Sequence, residues 1–347
     1  MGMTGPGRLV FFERWAHPVA EEILGREADI ELIRLGMADP EADNWPALER
    51  AHVYQIKSAR DELSPQYHAN AGLLARCPEL LAISSWGAGY DTVDVAACTE
   101  AGVIVVNQAG GNREAVAEHA LGMMLTLSKR IGEVDRVMRR RPAVERQAFI
   151  GHNIEGKTVG IVGLGNIGKR VAELCRGLFS MRVLAYDPFI EADVFAANGA
   201  EQVPFAELLA EADIVTVHCP RTAESENMFD AAAFARMKPG ALFITTARGG
   251  IHDETALHEV LASGHLAGAG LDVWAVEPPD PQHPLLALDN VLASPHTAGV
   301  THESRRQIAV YAAEQVIDIF AGRRPPRLVN PEVWPTFVDR HRAAFGD

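Results

Sequence analysis

The chain has little of what marks an exported, membrane-bound or nucleic-acid-binding protein. Only four cysteines occur in 347 residues (Cys77, Cys98, Cys175 and Cys219), and their wide separation, without a C-x-x-C pair, argues against a zinc knuckle or a disulfide framework. A reduced, cytoplasmic setting is expected. No apolar run approaches the length of a membrane span, and "LVFF" near the N-terminus is too short for a signal-peptide core, so neither a membrane nor export is expected. Positive charge is scarce: 32 Lys and Arg face 46 Asp and Glu, a net charge of −14, which disfavours nucleic acid and anionic membranes as partners. The one basic cluster, Lys129, Arg130, Arg136, Arg139, Arg140 and Arg141, reads as a solvated helix end or a subunit contact. No H-E-x-x-H signature occurs, and His252 and His258 stand at i and i+6, so no metal is expected. A G-x-S-x-G nucleophile elbow is also missing.

What the chain does have is length and rhythm. At 347 residues it exceeds what one core usually holds, and two lobes are expected. Short β-branched runs alternate with helical ones, from "RLVFF", "IELIRL", "VYQIKS", "LLAISSW" and "VIVVNQ" to "TVGIV", "RVLAY", "DIVTVHC", "ALFITTA" and "LAGAGLDVW". That alternation is the mark of βα units feeding parallel sheets, hence an α/β fold. Between the two series runs "NREAVAEHALGMMLTLSKR", a long helix with Asn112 as candidate N-cap, followed by an exposed or intersubunit stretch over 132–156. A last helix should start at Thr301, stop at Gly322 and pack back on the first lobe, with "RLVNPEVWP" tying down the end. The boundaries expected are 1–110 plus 300–347 for one domain and 111–299 for the other.

Within the second series, "TVGIV" runs into Gly163-Leu164-Gly165-Asn166-Ile167-Gly168 and a helix, and the next strand ends at Asp187, 187 − 168 = 19 residues past the last glycine. This is the dinucleotide fingerprint: Gly163 for the tight turn, Gly165 for approach of backbone N–H groups to the pyrophosphate, Gly168 for close helix packing. Asp187 would accept from the ribose hydroxyls and repel a 2′-phosphate, and Pro188 and Phe189 follow it rather than Arg, so the cofactor expected is NAD. Three more stretches end strands where an open parallel sheet places its ligands: "TTARGG" with Arg248, "GLDVWAVEPP" with Asp272 and Glu277, and "SPHTAG" with His296.

Together with "WGAGYD" and "HCPRT", in this order, these motifs resemble the D-isomer-specific 2-hydroxyacid dehydrogenase family over nearly the whole chain. The intervals 277 − 248 = 29 and 296 − 277 = 19 resemble its catalytic spacing. The resemblance implies two lobes, a Rossmann NAD-binding domain inserted into a flavodoxin-like substrate domain, and interconversion of a D-2-hydroxy acid and its 2-keto acid by a homodimer. It implies His296 as acid and base, Glu277 orienting its ring, and Arg248 on the substrate carboxylate with the N–H groups of Ala88 and Gly89. Trp86 and Tyr90 would wall the pocket, and Asp272 would meet the nicotinamide carboxamide. His218, Cys219, Pro220, Thr246, Ala247, Ala298 and Gly299 complete the implied cofactor site. Lys57 and Arg60, in "IKSAR", could hold a substrate phosphate or be surface charges. Two other readings share the fold: an NAD-sensing corepressor, against which the intact Arg, Glu and His weigh, and a phosphite-type dehydrogenase.

Overall fold

The computed structural model describes residues 5–140 and 145–346, so Arg141 of the basic cluster lies outside the described residues. Two compact units are present, one made of the residues up to Asn112 together with those from Thr301, the other Arg113–Val300.

In the first unit, β1 (Gly7–Phe12), β2 (Ile30–Leu35), β3 (Val53–Ile56), β4 (Ala82–Ser85) and β5 (Ile104–Val106) form a parallel sheet in the order β2-β1-β3-β4-β5. This is the flavodoxin-like order. Alternation along β1 explains why both faces are apolar. Leu9 and Phe11 join a core closed by Ala309, Ala312, Val316 and Ile319 of the helix His302–Phe320. Val10 and Phe12 point the other way, to Tyr54, Ile56 and Ile83.

The helix His302–Phe320 is capped as its sequence suggests. Thr301 accepts from Ser304 N, and Gly322 takes a positive φ of 66° past the end. The segment after it ties into β5: Val329 N donates to Val105 O (2.8 Å) and Val105 N donates to Asn330 Oδ1 (2.7 Å). A further helix, Trp334–Phe345, buries Phe337 and Phe345 in the same core. Nothing in its sequence periodicity had drawn attention to it.

In the second unit, β6 (Thr158–Val162), β7 (Arg182–Tyr186), β8 (Glu201–Gln202), β9 (Ile214–Val217), β10 (Leu242–Thr245), β11 (Gly268–Leu271) and β12 (Val291–Ala293) run parallel. The order is β12-β11-β10-β9-β6-β7-β8, a Rossmann arrangement extended by one strand. The chain moves outward from β6 to β8, then returns to add β9 on the other side of β6. Ligands of such sheets bind at the carboxyl ends of the strands beside this reversal. The helix Arg113–Ser128 begins right after Asn112 and packs Ala117, Ala120, Met123 and Met124 against β6 and β10. Beyond it, part of the stretch expected to be exposed is the helix Ile131–Arg140, which buries none of its residues.

Candidate active site

Two glycines of the fingerprint are dictated by backbone. Gly163 has φ +92°, and a Cβ there would lie 2.5 Å from Cys219 N; one on Gly168 would lie 2.1 Å from Gly163 O. Gly165 differs, because a Cβ on it would meet nothing within 4 Å. It caps the helix Asn166–Phe179 without a side-chain acceptor, so the first-turn N–H groups of Asn166, Ile167 and Gly168 receive no bond from a capping side chain. An uncapped helix start beside an open glycine fits a pyrophosphate.

Asp187, at the end of β7, accepts from Leu164 N through Oδ2 (3.0 Å) and from Phe189 N through Oδ1 (3.1 Å). It therefore braces the fingerprint turn, and each oxygen keeps a lone pair for a ribose hydroxyl. A narrow slot beside it is lined by Val162, Asp187, Phe189, Cys219, Pro220 and Met228, and Phe189 is exposed. At the ends of β9 and β10, the His218 ring bridges Thr216 Oγ1 (2.9 Å) and Thr246 Oγ1 (3.3 Å). Burial pushes its pKa down to about 3, so the ring is neutral near pH 7.

The residues expected to do chemistry gather at the ends of β10, β11 and β12. Arg248 follows β10, and its Nη1 donates to Ala247 O (2.7 Å). The adjoining Gly249 is required because a Cβ there would sit 1.8 Å from Trp274 O. Glu277 accepts from Trp274 N through Oε1 (3.0 Å), and its Oε2 lies 2.7 Å from His296 Nδ1. Since Nδ1 is taken by the carboxylate, Nε2 is the nitrogen left to face a substrate. The hydrogen bond to Glu277 raises the His296 pKa above its ordinary value; burial and Arg248 oppose, and Asp272 adds to the rise. Burial works to raise the pKa of Glu277, but His296, Trp274 N and Arg248 together bring it below the usual carboxylate range.

Asp272 holds the loop that carries His296. Its Oδ1 accepts from Ser294 Oγ (2.6 Å) and Thr297 N (2.8 Å), its Oδ2 accepts from Ala298 N (2.9 Å), and its carbonyl accepts from His296 N (2.7 Å). These bonds keep His296 at φ +53°, a left-handed conformation that costs a non-glycine residue about 1–2 kcal/mol. The side chain of Asp272 is 1% exposed, and its three side-chain bonds all go to this loop rather than outward. The Ser294 hydroxyl, its proton committed to Asp272, accepts from His119 Nε2 (3.1 Å) on the helix Arg113–Ser128. Ser294, Trp274, Gly249 and His119 were not singled out in the sequence. The Gly249-Gly250 pair after Arg248 was the one signal on offer. His252 is buried on Phe243, and burial pushes its pKa down to about 4, as suits a core histidine.

In the first unit, the loop after β4 is built to present N–H groups. Gly87 O accepts from Gln108 N (2.9 Å), Ala88 O from Asn107 Nδ2 (2.8 Å) and Gly89 O from Ser85 Oγ (2.5 Å). With all three carbonyls drawn inward, the N–H groups of Ala88 and Gly89 have no acceptor among the described residues. Such a loop suits a carboxylate. Trp86 is buried and Tyr90 exposed. Arg60 donates to Asp91 O (2.9 Å).

Comparison with known proteins identifies the family of the chain. Residues 121–298 match the D-isomer specific 2-hydroxyacid dehydrogenase, NAD binding domain. The chain is 36% identical over 325 residues to a D-3-phosphoglycerate dehydrogenase of Archaeoglobus fulgidus, covering 92% of this chain and 60% of that protein. To a glyoxylate reductase of Aeropyrum pernix it is 34% identical over 331 residues, covering 93% and 96%. Among solved structures, the holo form of D-mandelate dehydrogenase from Rhodotorula graminis superposes with a TM-score of 0.83 at 27% identity, covering 94% of this chain and 98% of that one. The chain belongs to the D-isomer specific 2-hydroxyacid dehydrogenase family, and the cofactor of its second unit is NAD.

Proposed function

We propose that the protein interconverts a D-2-hydroxy acid and its 2-keto acid, with His296 as the proton donor and acceptor. The observation that carries this reading is the 2.7 Å contact of His296 Nδ1 with Glu277, which aims the other ring nitrogen at a substrate beside Arg248. In reduction, His296 Nε2 gives its proton to the oxygen on C2; in oxidation it takes that proton back. Glu277 stabilises the imidazolium and fixes the tautomer. The guanidinium of Arg248 binds the C1 carboxylate and polarises the C2 oxygen, a task suited to its planar fork. The N–H groups of Ala88 and Gly89 are proposed to bind the same carboxylate.

Cofactor contacts are assigned to Gly163, Gly165, Asn166, Ile167 and Gly168 at the pyrophosphate and to Asp187 at the ribose. His218, Cys219, Pro220, Thr246, Ala247, Ala298 and Gly299 are assigned to the rest. Bound there, the nicotinamide supplies or accepts the hydride. For Asp272, the geometry supports a role in holding the His296 loop; its contact with the carboxamide rests on the resemblance alone. The partners proposed are a small 2-hydroxy or 2-keto acid and a second copy of the chain, the latter on exposed Ile131, Met138 and Ile150.

The reading is tested by His296→Ala, assayed for NADH consumption with a panel of 2-keto acids. Removing a general acid costs about 10²–10⁴-fold in turnover, while NADH binding should persist. Near-normal turnover in this variant, or no turnover by the wild type on any 2-keto acid despite NADH binding, would refute it.

A further inference from the structure

At the amino ends of its strands the first unit holds a cavity of about 460 Å³ that the proposed reaction does not use. The pairing of Leu9 with Val53, and of Val53 with Ala82, sets Arg8, His52 and Leu81 side by side along it. Arg340, on the helix Trp334–Phe345, lines it as well.

The hydrogen bonds around His52 do not close. Arg8 N donates to His52 Nδ1 (3.0 Å). Burial, helped by Arg8 and His341, pushes the pKa of His52 down to about 4, so the ring is neutral and its one proton sits on Nε2. That nitrogen lies 2.9 Å from Arg8 Nη2, which can only donate, so two donors face each other with no acceptor between them. Glu79 Oε2 accepts from Arg8 Nη2 but stays 3.7 Å from His52 Nε2, too far for a hydrogen bond.

Arg340 adds to the excess of donors. Its Nη1 donates to Ala101 O (3.2 Å) and Gly102 O (2.9 Å), and its Nη2 to Pro78 O (2.8 Å). Among the described residues, its Nε and second Nη2 hydrogen have no acceptor, and no carboxylate bonds to it. Arg8 Nη1 has no acceptor among them either. Glu79 is the one carboxylate among the described residues lining the cavity, and Arg8 already holds it. An oxyanion, with several lone pairs and a charge opposite to that of Arg340, can take these hydrogens together.

We propose that this cavity binds a small oxyanion, the carboxylate or phosphate group of a metabolite, through His52 Nε2, Arg8 and Arg340. The site lies at the edge of the sheet opposite the loop after β4, so an anion held there does not occupy the position assigned to the substrate carboxylate. The proposal is independent of the proposed reaction and stands or falls without it.

Acetate and inorganic phosphate serve as probes, titrated calorimetrically into NADH-saturated protein at neutral pH and constant ionic strength. The background is Arg248→Met, which removes the guanidinium assigned to the substrate carboxylate. Saturable binding of one or both anions is expected there, and the tighter of the two identifies the group. Adding Arg340→Met should weaken that binding about tenfold, the worth of one charged hydrogen bond. Adding Glu79→Gln should strengthen it, since the competing carboxylate is gone and Arg8 is released. Arg34→Met, an equal change of charge at an exposed ion pair elsewhere in the same unit, should leave it unaltered.

No saturable binding of either anion in the Arg248→Met background overturns the proposal. So does binding that Arg340→Met leaves at full strength, or a loss that Arg34→Met matches. Should Arg340→Met not fold, Glu79→Gln, at a half-exposed side chain, decides alone: unchanged or weaker affinity refutes the site.

Discussion

Replacing Glu277 by Gln removes a negative charge 2.7 Å from His296 Nδ1 while keeping an oxygen that can accept from Trp274 N. The perturbation therefore falls on the electrostatics of the ring more than on the loop. A hydrogen bond between charged groups contributes about 1.5–3 kcal/mol, and the lower end applies here because the two side chains are 37% and 26% exposed. About 1.5 kcal/mol is roughly tenfold in the population of imidazolium at a pH above its pKa.

The sign differs between the two reaction directions. Reduction needs protonated His296, so its rate falls as pH rises through the pKa of His296. Glu277 raises that pKa and extends the active range toward alkali. In Glu277→Gln the alkaline limb moves to lower pH, and kcat/KM for reduction near neutrality drops about tenfold. Oxidation needs the neutral ring, so its acid limb also moves to lower pH, and activity in mild acid declines less steeply than in the wild type. Pseudo-first-order NADH absorbance traces, taken across pH in both directions, give the two profiles. Limbs that stay where the wild type has them, with both directions reduced in parallel, would refute the electrostatic role of Glu277.

Asp187→Ala removes the carboxylate that braces Leu164 N and Phe189 N and that we assign to the ribose. The expected outcome is a KM for NAD raised by about tenfold and a loss of preference for NAD over NADP. Unchanged preference in steady-state kinetics would contradict the ribose assignment. Asp272→Asn turns one buried acceptor into a donor facing either Ala298 N or the Thr297 N and Ser294 Oγ pair. An unsatisfied buried polar group costs about 1–3 kcal/mol, so Tm should fall by several degrees and kcat should drop more than KM changes. A variant with wild-type kcat would show that the loop does not depend on this carboxylate.

Much of this was legible from the order of residues. β1, β6 and β7 stand where runs of Val, Ile and Leu suggested, because a strand buried on both faces needs an uninterrupted apolar stretch, while the edge strand β2 keeps Glu31 and Arg34 exposed. β8 escaped notice, and β12 was marked only by the motif that follows it. The first is two exposed residues and the second only three residues long, and edge strands of that length carry no periodicity. The helix Trp334–Phe345 was hidden by Pro335 and by its mixture of polar and aromatic residues.

At the site, Arg248, Glu277 and His296 were readable because each sits in a recognisable motif at the end of a strand. The bonds beneath them were not, since His119, Asp272 and Ser294 lie far apart in sequence and meet only through the sheet. The left-handed backbone of His296 has no local mark either. Its neighbours Pro295 and Thr297 do not ask for it, and the acceptor that sustains it lies 24 residues earlier, at Asp272.

The two-part make-up of the first unit has a consequence for how the protein is born. The second unit is one continuous piece of chain, Arg113–Val300, and can close as soon as that piece has left the ribosome. The first unit cannot, because its β1 to β5 sheet needs the helix His302–Phe320 for one face and Val329 and Asn330 for its edge. At roughly 5–20 residues per second, the 300 − 112 = 188 residues between its two parts impose a wait of about 10–40 seconds. During that interval Leu9, Phe11, Val53, Ala82 and Ile104 lack the helix that covers them in the finished fold. Of the two units, the one begun first is thus completed second, and a nascent chain stalled short of residue 301 presents a folded second unit together with an open apolar sheet face for chaperones or proteases to find.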